Sequence, residues 1–314
     1  MAIQWFPGHM NKARKDVAER LKDIDVVIEM LDARLPASSA NPMLARMAKG
    51  KPRLMILNKQ DLADPAITQQ WLDWYNAKKD TQAIGMDAGE RAPAQRLVAA
   101  CRQLAPNRGG LEKPLRVLIC GIPNVGKSTL INSMSNRKIA KTGNMPGVTK
   151  NEQRIILADD VELFDTPGML WPKIEVEEGG YNLAASGAVG RNAMDEEEVA
   201  LELIKYLLIH YRAELAGRYK LDAEALDGVP DWQALELIGK RRGAVLSGGK
   251  INIQKAAEIV LTDFRDGQTG RITLERPEEW KVWEKRAKEL AAIRAAEREA
   301  RMQEKDGRKK QGGR

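Results

Sequence analysis

Residues 121–128 read Gly-Ile-Pro-Asn-Val-Gly-Lys-Ser, and this stretch decides the fold. Its two glycines are followed directly by Lys127 and Ser128, which is the pattern of a phosphate-binding loop. An apolar run at residues 116–120 leads into the loop, and a helix-forming run at residues 128–132 continues it. In that setting main-chain N–H groups surround phosphates, and the helix N-terminus adds partial positive charge. The stretch therefore predicts a nucleotide site between a strand and a helix.

The residue types in this loop predict distinct roles. Lys127 should reach the β- and γ-phosphates, and the Ser128 hydroxyl should ligate Mg²⁺. Further phosphate contacts are predicted at Asn124, Val125, Gly126 and Thr129.

Two later segments supply the expected partners of the loop. Asp165-Thr-Pro-Gly168 ends a predicted strand, so Asp165 can hold Mg²⁺ through water and the Gly168 N–H can contact the γ-phosphate. Between the phosphate loop and Asp165 lies the segment 146–149, Pro-Gly-Val-Thr, in which Thr149 is a candidate ligand of Mg²⁺.

A guanine-selecting motif is predicted at Asn58-Lys59-Gln60-Asp61, directly after the apolar run 53–57. The Asp61 carboxylate can accept from the two N–H donors of guanine, a pair that adenine does not offer. Alone, such a tetrapeptide is a common turn. Together with the phosphate loop it resembles the GTPase superfamily and predicts binding of GTP rather than ATP.

Apolar, β-branched runs alternate with helical stretches, which is typical of an α/β fold. The predicted strands cover residues 26–31, 53–57, 83–84, 116–120, 154–157 and 161–164. The last two should pair as a hairpin. Near-continuous apolar strands separated by helices predict a mainly parallel sheet with helices on both faces.

Beyond Trp171 the strand pattern stops and helical spacing takes over, at residues 196–215, 232–238 and 253–264. We expect three units: a GTPase domain at residues 1–175, a smaller all-helical domain at 176–280, and a basic helical to disordered tail at 281–314.

The order of the motifs is unusual, because the guanine motif at 58–61 precedes the phosphate loop at 121–128. The strands can keep the places that they have in an ordinary GTPase sheet if the original N- and C-termini are joined and new termini are created elsewhere in the chain. Residues 105–114 are the predicted join. The motif order therefore predicts a circularly permuted GTPase domain. In such a domain the segment after Gly168 leads through Trp171 directly into the helical half of the chain, from residue 176 onward.

This order resembles the circularly permuted ribosome-biogenesis GTPases known as RbgA or YlqF. The resemblance rests also on Trp5-Phe-Pro-Gly-His-Met10, on Leu31-Asp-Ala-Arg-Leu-Pro36 and on residues 146–149. It covers residues 1 to about 175 closely and residues 239–249 and 256–276 more loosely. It implies a GTPase that engages the large (50S) ribosomal subunit and its rRNA late in assembly, with a helical RNA-binding C-terminal domain.

Activation of the attacking water needs a residue other than the glutamine that many small GTPases carry after the Asp-x-x-Gly motif. Here that position is Met169, which cannot hydrogen-bond a water. The family resemblance implies that His9 is catalytic; a structural or RNA-contacting role for His9 is the alternative. His210, in a helical apolar stretch, is interpreted as structural.

A monovalent cation is a second candidate for activation. Asn124 stands where potassium-dependent GTPases carry an asparagine that helps to hold K⁺, so by resemblance K⁺ joins GTP and Mg²⁺ as a cofactor. The alternative is that Asn124 only tolerates an unusual turn conformation.

The charge distribution favours an anionic partner. The net charge is +7, and residues 281–314 hold 12 Lys/Arg against 6 Asp/Glu. Such a tail suits RNA, or it only aids solubility. We expect no membrane-spanning segment and no secretory signal, and two cysteines cannot form a disulfide framework. We expect a cytoplasmic monomer without a membrane partner.

Three functions are compatible with these patterns. The leading hypothesis is an assembly switch whose hydrolysis of GTP is stimulated by the large subunit. The second is a module that binds GTP with negligible hydrolysis of its own, and the third is a GTP-dependent switch acting on another RNA.

Overall fold

The computed structural model describes the main chain of residues 8–87, 93–110, 112–135 and 153–311. Six strands form one sheet: β1 (Val26–Asp32), β2 (Arg53–Asn58), β3 (Thr81–Gly85), β4 (Leu115–Gly121), β5 (Gln153–Ala158) and β6 (Val161–Asp165). Their order is β3-β2-β1-β4-β6-β5. All neighbours are parallel except β5 and β6, which form an antiparallel hairpin. The predicted mainly parallel sheet and its hairpin are confirmed.

Helices occupy segments before, between and after the strands. They are α1 (Gly8–Arg20), α2 (Pro42–Met47), α3 (Pro65–Asn76), α4 (Pro93–Leu104), α5 (Lys127–Ser135), α6 (Glu177–Ala185), α7 (Glu196–His210), α8 (Arg212–Tyr219), α9 (Asp231–Arg241), α10 (Ile253–Arg265) and α11 (Pro277–Gln311). In the described ranges none of them is both long enough and apolar enough to cross a membrane.

The central strand β1 is buried along its whole length because helices cover both faces of the sheet. Side chains alternate between the faces of a strand. Ile28 therefore lies in one apolar cluster with Leu97 of α4, whereas Val27 lies in another with Val17 of α1. The continuous apolar sequence of β1 follows from this double coverage.

One long predicted helix is broken in the structure. Residues 196–215 were expected to be helical throughout, but α7 ends at His210 and α8 begins at Arg212. Tyr211 between them has φ −141°, outside the helical region. Its hydroxyl accepts a hydrogen bond from the Thr273 N–H at 3.2 Å. The break thus coincides with a contact distant in sequence, which local spacing could not show.

Residues 271–276 return from the helical half to the sheet. The Leu274 N–H donates to the Arg34 carbonyl at 2.7 Å, and the Trp71 indole N–H donates to the Glu275 carbonyl at 3.0 Å. The Glu275 side chain is fully buried. Its carboxylate accepts from the N–H groups of Ala37 at 2.5 Å and Ser38 at 2.9 Å.

Burial raises the pKa of Glu275 from its ordinary value of 4.5 to about 7, although its hydrogen-bond donors act in the opposite direction. The folded protein therefore holds this proton more tightly than the unfolded chain does. Between pH 4.5 and about 7 the unfolded chain ionises first, so stability should fall as pH rises.

The change Glu275→Gln should remove this pH dependence, which amounts to roughly 3 kcal/mol at full effect. Urea unfolding of both proteins across the pH range would measure it. The control is Glu278→Gln in α11, whose side chain is 81% exposed and should leave the slope unchanged. Equal slopes in wild type and Glu275→Gln would contradict the assignment.

Candidate functional site

The carboxyl ends of four parallel strands bring the predicted motifs to one edge of the sheet. The register pairs Asp32 of β1 with Asn58 of β2, and Ile119 of β4 with Asp165 of β6. The Asn58 side-chain amide donates to the Val125 carbonyl at 2.8 Å. The guanine motif and the phosphate loop are therefore in direct contact, although Asn58 and Val125 are 67 positions apart in the sequence.

The phosphate loop has the conformation that its glycines allow. Gly126 has φ +98°, and an ideal Cβ on it would lie 2.4 Å from Nδ2 of Asn58. Asn124 is also left-handed, with φ 59°. Glycine at 126 is therefore required both by the backbone and by the close approach of Asn58.

Lys127 and Asp165 form a buried ion pair at the base of the loop. Lys127 is 6% exposed and Asp165 is fully buried, and the lysine ammonium bonds one carboxylate oxygen of Asp165. Burial raises the pKa of Asp165, against the attraction of Lys127. A buried pair of this kind is a costly arrangement unless its remaining polar atoms find partners.

The second carboxylate oxygen of Asp165 has no such partner. Oδ2 is buried and has no hydrogen-bond partner among the described residues. Oxygen donors of this type suit Mg²⁺. Ser128 and Thr129 follow Lys127 in α5; Ser128 is half-buried and Thr129 is exposed. The donor set therefore fits a Mg²⁺ ion shared with a bound phosphate.

Gly168 lies against the main chain of the phosphate loop. An ideal Cβ on Gly168 would be 3.1 Å from both N and Cα of Pro123. The next N–H, of Met169, donates to the Gly121 carbonyl at 3.0 Å. The side chains of Met169 and Leu170 are buried, so they stabilise the core at this point. The segment predicted to contact the γ-phosphate thus lies against the predicted phosphate loop.

Two residues without a predicted role, Asp32 and Arg34, position the guanine motif. Lys59 donates to Asp32 at 2.9 Å, and Arg34 bonds both oxygens of the same carboxylate, at 2.9 and 2.8 Å. Burial opposes ionisation, but Arg34 and Lys59 hold the pKa of Asp32 well below its usual range. Asp32 and Arg34 lie at and just after the end of a buried strand, and this position was the sequence feature that could have indicated their role. Asp61, at the centre of the short turn Gln60–Leu62, is exposed.

Asn124 contacts the helical half. Its side-chain amide donates to the Gly187 carbonyl, in the turn after α6, at 2.7 Å. The left-handed backbone agrees with the turn interpretation of this residue, and a role in holding K⁺ stays a prediction.

The remaining predicted residues are described only in part. Thr149 lies outside the described residues. The main chain of His9 belongs to α1, but its side chain is outside what the structure describes. His210 is packed on Tyr206 with ring centroids 4.3 Å apart, and its Nε2 lies 3.1 Å from Glu279. Burial and Arg276 lower the pKa of His210, which agrees with a structural role.

The phosphate loop follows β4, and the guanine motif follows β2 of the same sheet. The guanine motif comes first in the sequence, so the fold and the site define a circularly permuted P-loop GTPase. A family model described as "50S ribosome-binding GTPase" matches residues 116–221. Ribosome biogenesis GTPase A of Priestia megaterium is 44% identical over 287 residues, which is 89% of this chain and 98% of that protein.

The chain belongs to the ribosome biogenesis GTPase A family, and it is a GTP-hydrolysing enzyme. Mitochondrial ribosome-associated GTPase 1 of Mus musculus is 34% identical, with 87% of this chain and 90% of that protein covered. A crystal structure of GNP-bound YlqF from T. maritima matches with TM-score 0.60 and 25% identity, covering 85% of this chain and 99% of that one.

The contact between Gly126 and Asn58 gives a direct test of the site. Gly126→Ala should weaken binding of GTP at least about tenfold, because the new Cβ displaces Asn58 and strains a left-handed backbone. Titration with a fluorescent GTP analogue would measure it.

Gly217→Ala in α8 is the matched control, since an ideal Cβ there meets nothing within 4 Å. This control should bind GTP as wild type does. Wild-type affinity in Gly126→Ala would contradict the site geometry.

Proposed function

We propose that this GTPase acts on the large (50S) ribosomal subunit late in its maturation, as a switch that the subunit itself stimulates. The observation that carries the proposal is the 44% identity over 89% of the chain to a ribosome biogenesis GTPase A. The reversed motif order supports it, because the γ-phosphate-facing segment leads directly into the helical half. We further propose a monomer in the cytoplasm, where subunits assemble.

The site residues have the following proposed roles. Asn58, Lys59 and Asp61 bind guanine; Asn124, Val125, Gly126, Lys127, Ser128, Thr129 and Gly168 bind the phosphates. Ser128, Asp165 and Thr149 would hold Mg²⁺, which supplies charge neutralisation at the phosphates when bound. The buried, unpartnered Oδ2 of Asp165 supports its part in this set.

We propose residues 176–280 as the unit that faces rRNA, with the tail at 281–314 adding affinity. The last turn of α9 presents exposed Lys240 and Arg241, and Lys250 is exposed nearby in sequence. Phosphate contacts by Lys and Arg give salt-dependent affinity for RNA. The excess of Lys/Arg in the tail acts in the same direction.

Subunit-stimulated hydrolysis is the central expectation. Met169 is buried in the core, so it offers no group to orient water, and the isolated protein should turn over slowly. Addition of purified large subunits should raise the rate of phosphate release at least about tenfold, and small subunits at equal concentration should not.

His9→Ala should lose most of that stimulation while still co-sedimenting with large subunits. Normal stimulation in His9→Ala would remove the catalytic role of His9 only. Absence of stimulation in the wild type would overturn the ribosomal proposal, and stimulation by tRNA alone would favour action on another RNA.

A K⁺ ion held by Asn124 is a further part of the proposal. Turnover in K⁺ buffer should exceed turnover in Na⁺ buffer at equal ionic strength, because Na⁺ is too small for the same set of oxygen ligands. Asn124→Gly should abolish the difference, since glycine accepts the left-handed backbone but provides no ligand. Equal rates in the two buffers for the wild type would contradict the K⁺ site.

A further inference from the structure

The loop that carries Asp61 is held by residues from the far end of the chain. We call residues 60–64 the guanine loop and residues 271–273 the C-terminal strap. The Arg271 guanidinium donates to two carbonyls of the guanine loop, that of Ala63 through Nε and that of Gln60 through Nη2, both at 2.9 Å. These two carbonyls flank Asp61 in sequence.

The other two residues of the strap continue the same contact. The Ile272 N–H donates to the Leu62 carbonyl at 3.0 Å. The Asp64 N–H donates to the Thr273 hydroxyl at 3.1 Å. Three consecutive strap residues therefore bond four main-chain groups of a five-residue loop.

Side-chain packing reinforces these bonds. In the turn before the strap, Gly267 has φ +70°, and an ideal Cβ on it would lie 2.6 Å from a methyl carbon of Leu62. The two segments therefore fit closely, and Gly267 is required by its left-handed backbone as well as by this approach.

The strap is itself rigidly placed. Ile272, Thr273 and Leu274 are buried. The Tyr211 hydroxyl, at the break between α7 and α8, accepts from the Thr273 N–H at 3.2 Å and lies 3.1 Å from Oδ2 of Asp64. Arg34, which bonds Asp32 under the guanine motif, also donates to the Phe264 carbonyl at the end of α10 at 3.0 Å. A fixed strap can impose a fixed geometry on the loop.

Geometry matters here because hydrogen bonds weaken steeply when donor and acceptor are misaligned. A carboxylate that must accept from two guanine N–H groups at once needs a main chain that does not shift. On the β2 side the guanine loop is tied through Lys59 to Asp32 and through the Gln60 N–H to the Met86 carbonyl at 3.1 Å. Asp61 lies between that attachment and the strap.

We propose that the C-terminal strap sets the guanine selectivity of this GTPase, with Arg271 as the positioning residue for Asp61. The proposal rests on the guanine-binding role proposed for Asp61. It makes base recognition depend on the helical half of the chain. By thermodynamic linkage, a partner that displaced the strap would weaken GTP binding, and bound GTP would tighten the docking of the strap.

The test compares affinities for GTP and ITP in the full-length protein, because inosine lacks the exocyclic amine that guanine donates to Asp61. The wild type should prefer GTP at least about tenfold, the effect of one hydrogen bond to a charged group. Arg271→Ala should reduce this ratio to about threefold or less. Because incorrectly folded protein lowers both affinities alike, the ratio reports positioning rather than stability.

The matched control is Arg212→Ala, an arginine whose bonds to the Leu208 carbonyl and Asp227 lie within the helical half. It should keep the wild-type ratio. If Arg271→Ala does not fold, Thr273→Val decides by the same measurement, since it removes the acceptor of the Asp64 N–H with little change in volume.

Asp61→Ala separates the two proposals. If it keeps the wild-type ratio, the guanine-binding role of Asp61 fails. If Asp61→Ala loses the ratio while Arg271→Ala and Thr273→Val keep it within twofold of wild type, the positioning role of the strap is overturned and the guanine site stands.

Discussion

The function of this protein depends on the alignment of parallel strands, whose carboxyl ends must meet at one edge of the sheet. Strand β1 pairs in parallel with β2 and with β4, and the register places Asn58 beside the phosphate loop. The bond from the Asn58 amide to the Val125 carbonyl, at 2.8 Å, joins the predicted guanine motif to the predicted phosphate loop. The site therefore exists wherever these strands are adjacent, whatever their order along the chain, which explains why a permuted sequence keeps it.

The permutation also changes what the site is connected to. The residue pair after Gly168 is buried, and the chain then runs into α6, whose following turn accepts a hydrogen bond from Asn124. On the opposite side, residues 271–276 return to the sheet and bond the loop around Asp61. Phosphate loop and guanine loop are thus both in contact with the helical half. The proposed coupling between the nucleotide and the helical half would act through these two contacts.

Much of this architecture could be predicted because it depends on local sequence patterns. Continuous apolar runs ending at Asp32, Asn58 and Gly121 indicate parallel buried strands, and the motifs that follow them have chemistry specific to phosphates and guanine. The contacts that position the motifs could not be predicted. Arg271 bonds main-chain atoms more than 200 residues away, and Tyr211, at the break between α7 and α8, bonds Thr273. No pattern within a short window of sequence reveals either contact.

Guanine recognition by Asp61, beside the phosphate site proposed at Lys127 and Asp165, is the proposal on which the role of the C-terminal strap rests. Its most direct test is the affinity of Asp61→Asn for GTP and for XTP. Xanthine carries a carbonyl where guanine carries the exocyclic amine, so an asparagine amide can donate to it, whereas a carboxylate cannot. We expect a reversal: the variant should bind XTP more tightly than GTP, and the wild type should bind GTP more tightly than XTP. A variant that still prefers GTP to XTP would contradict it.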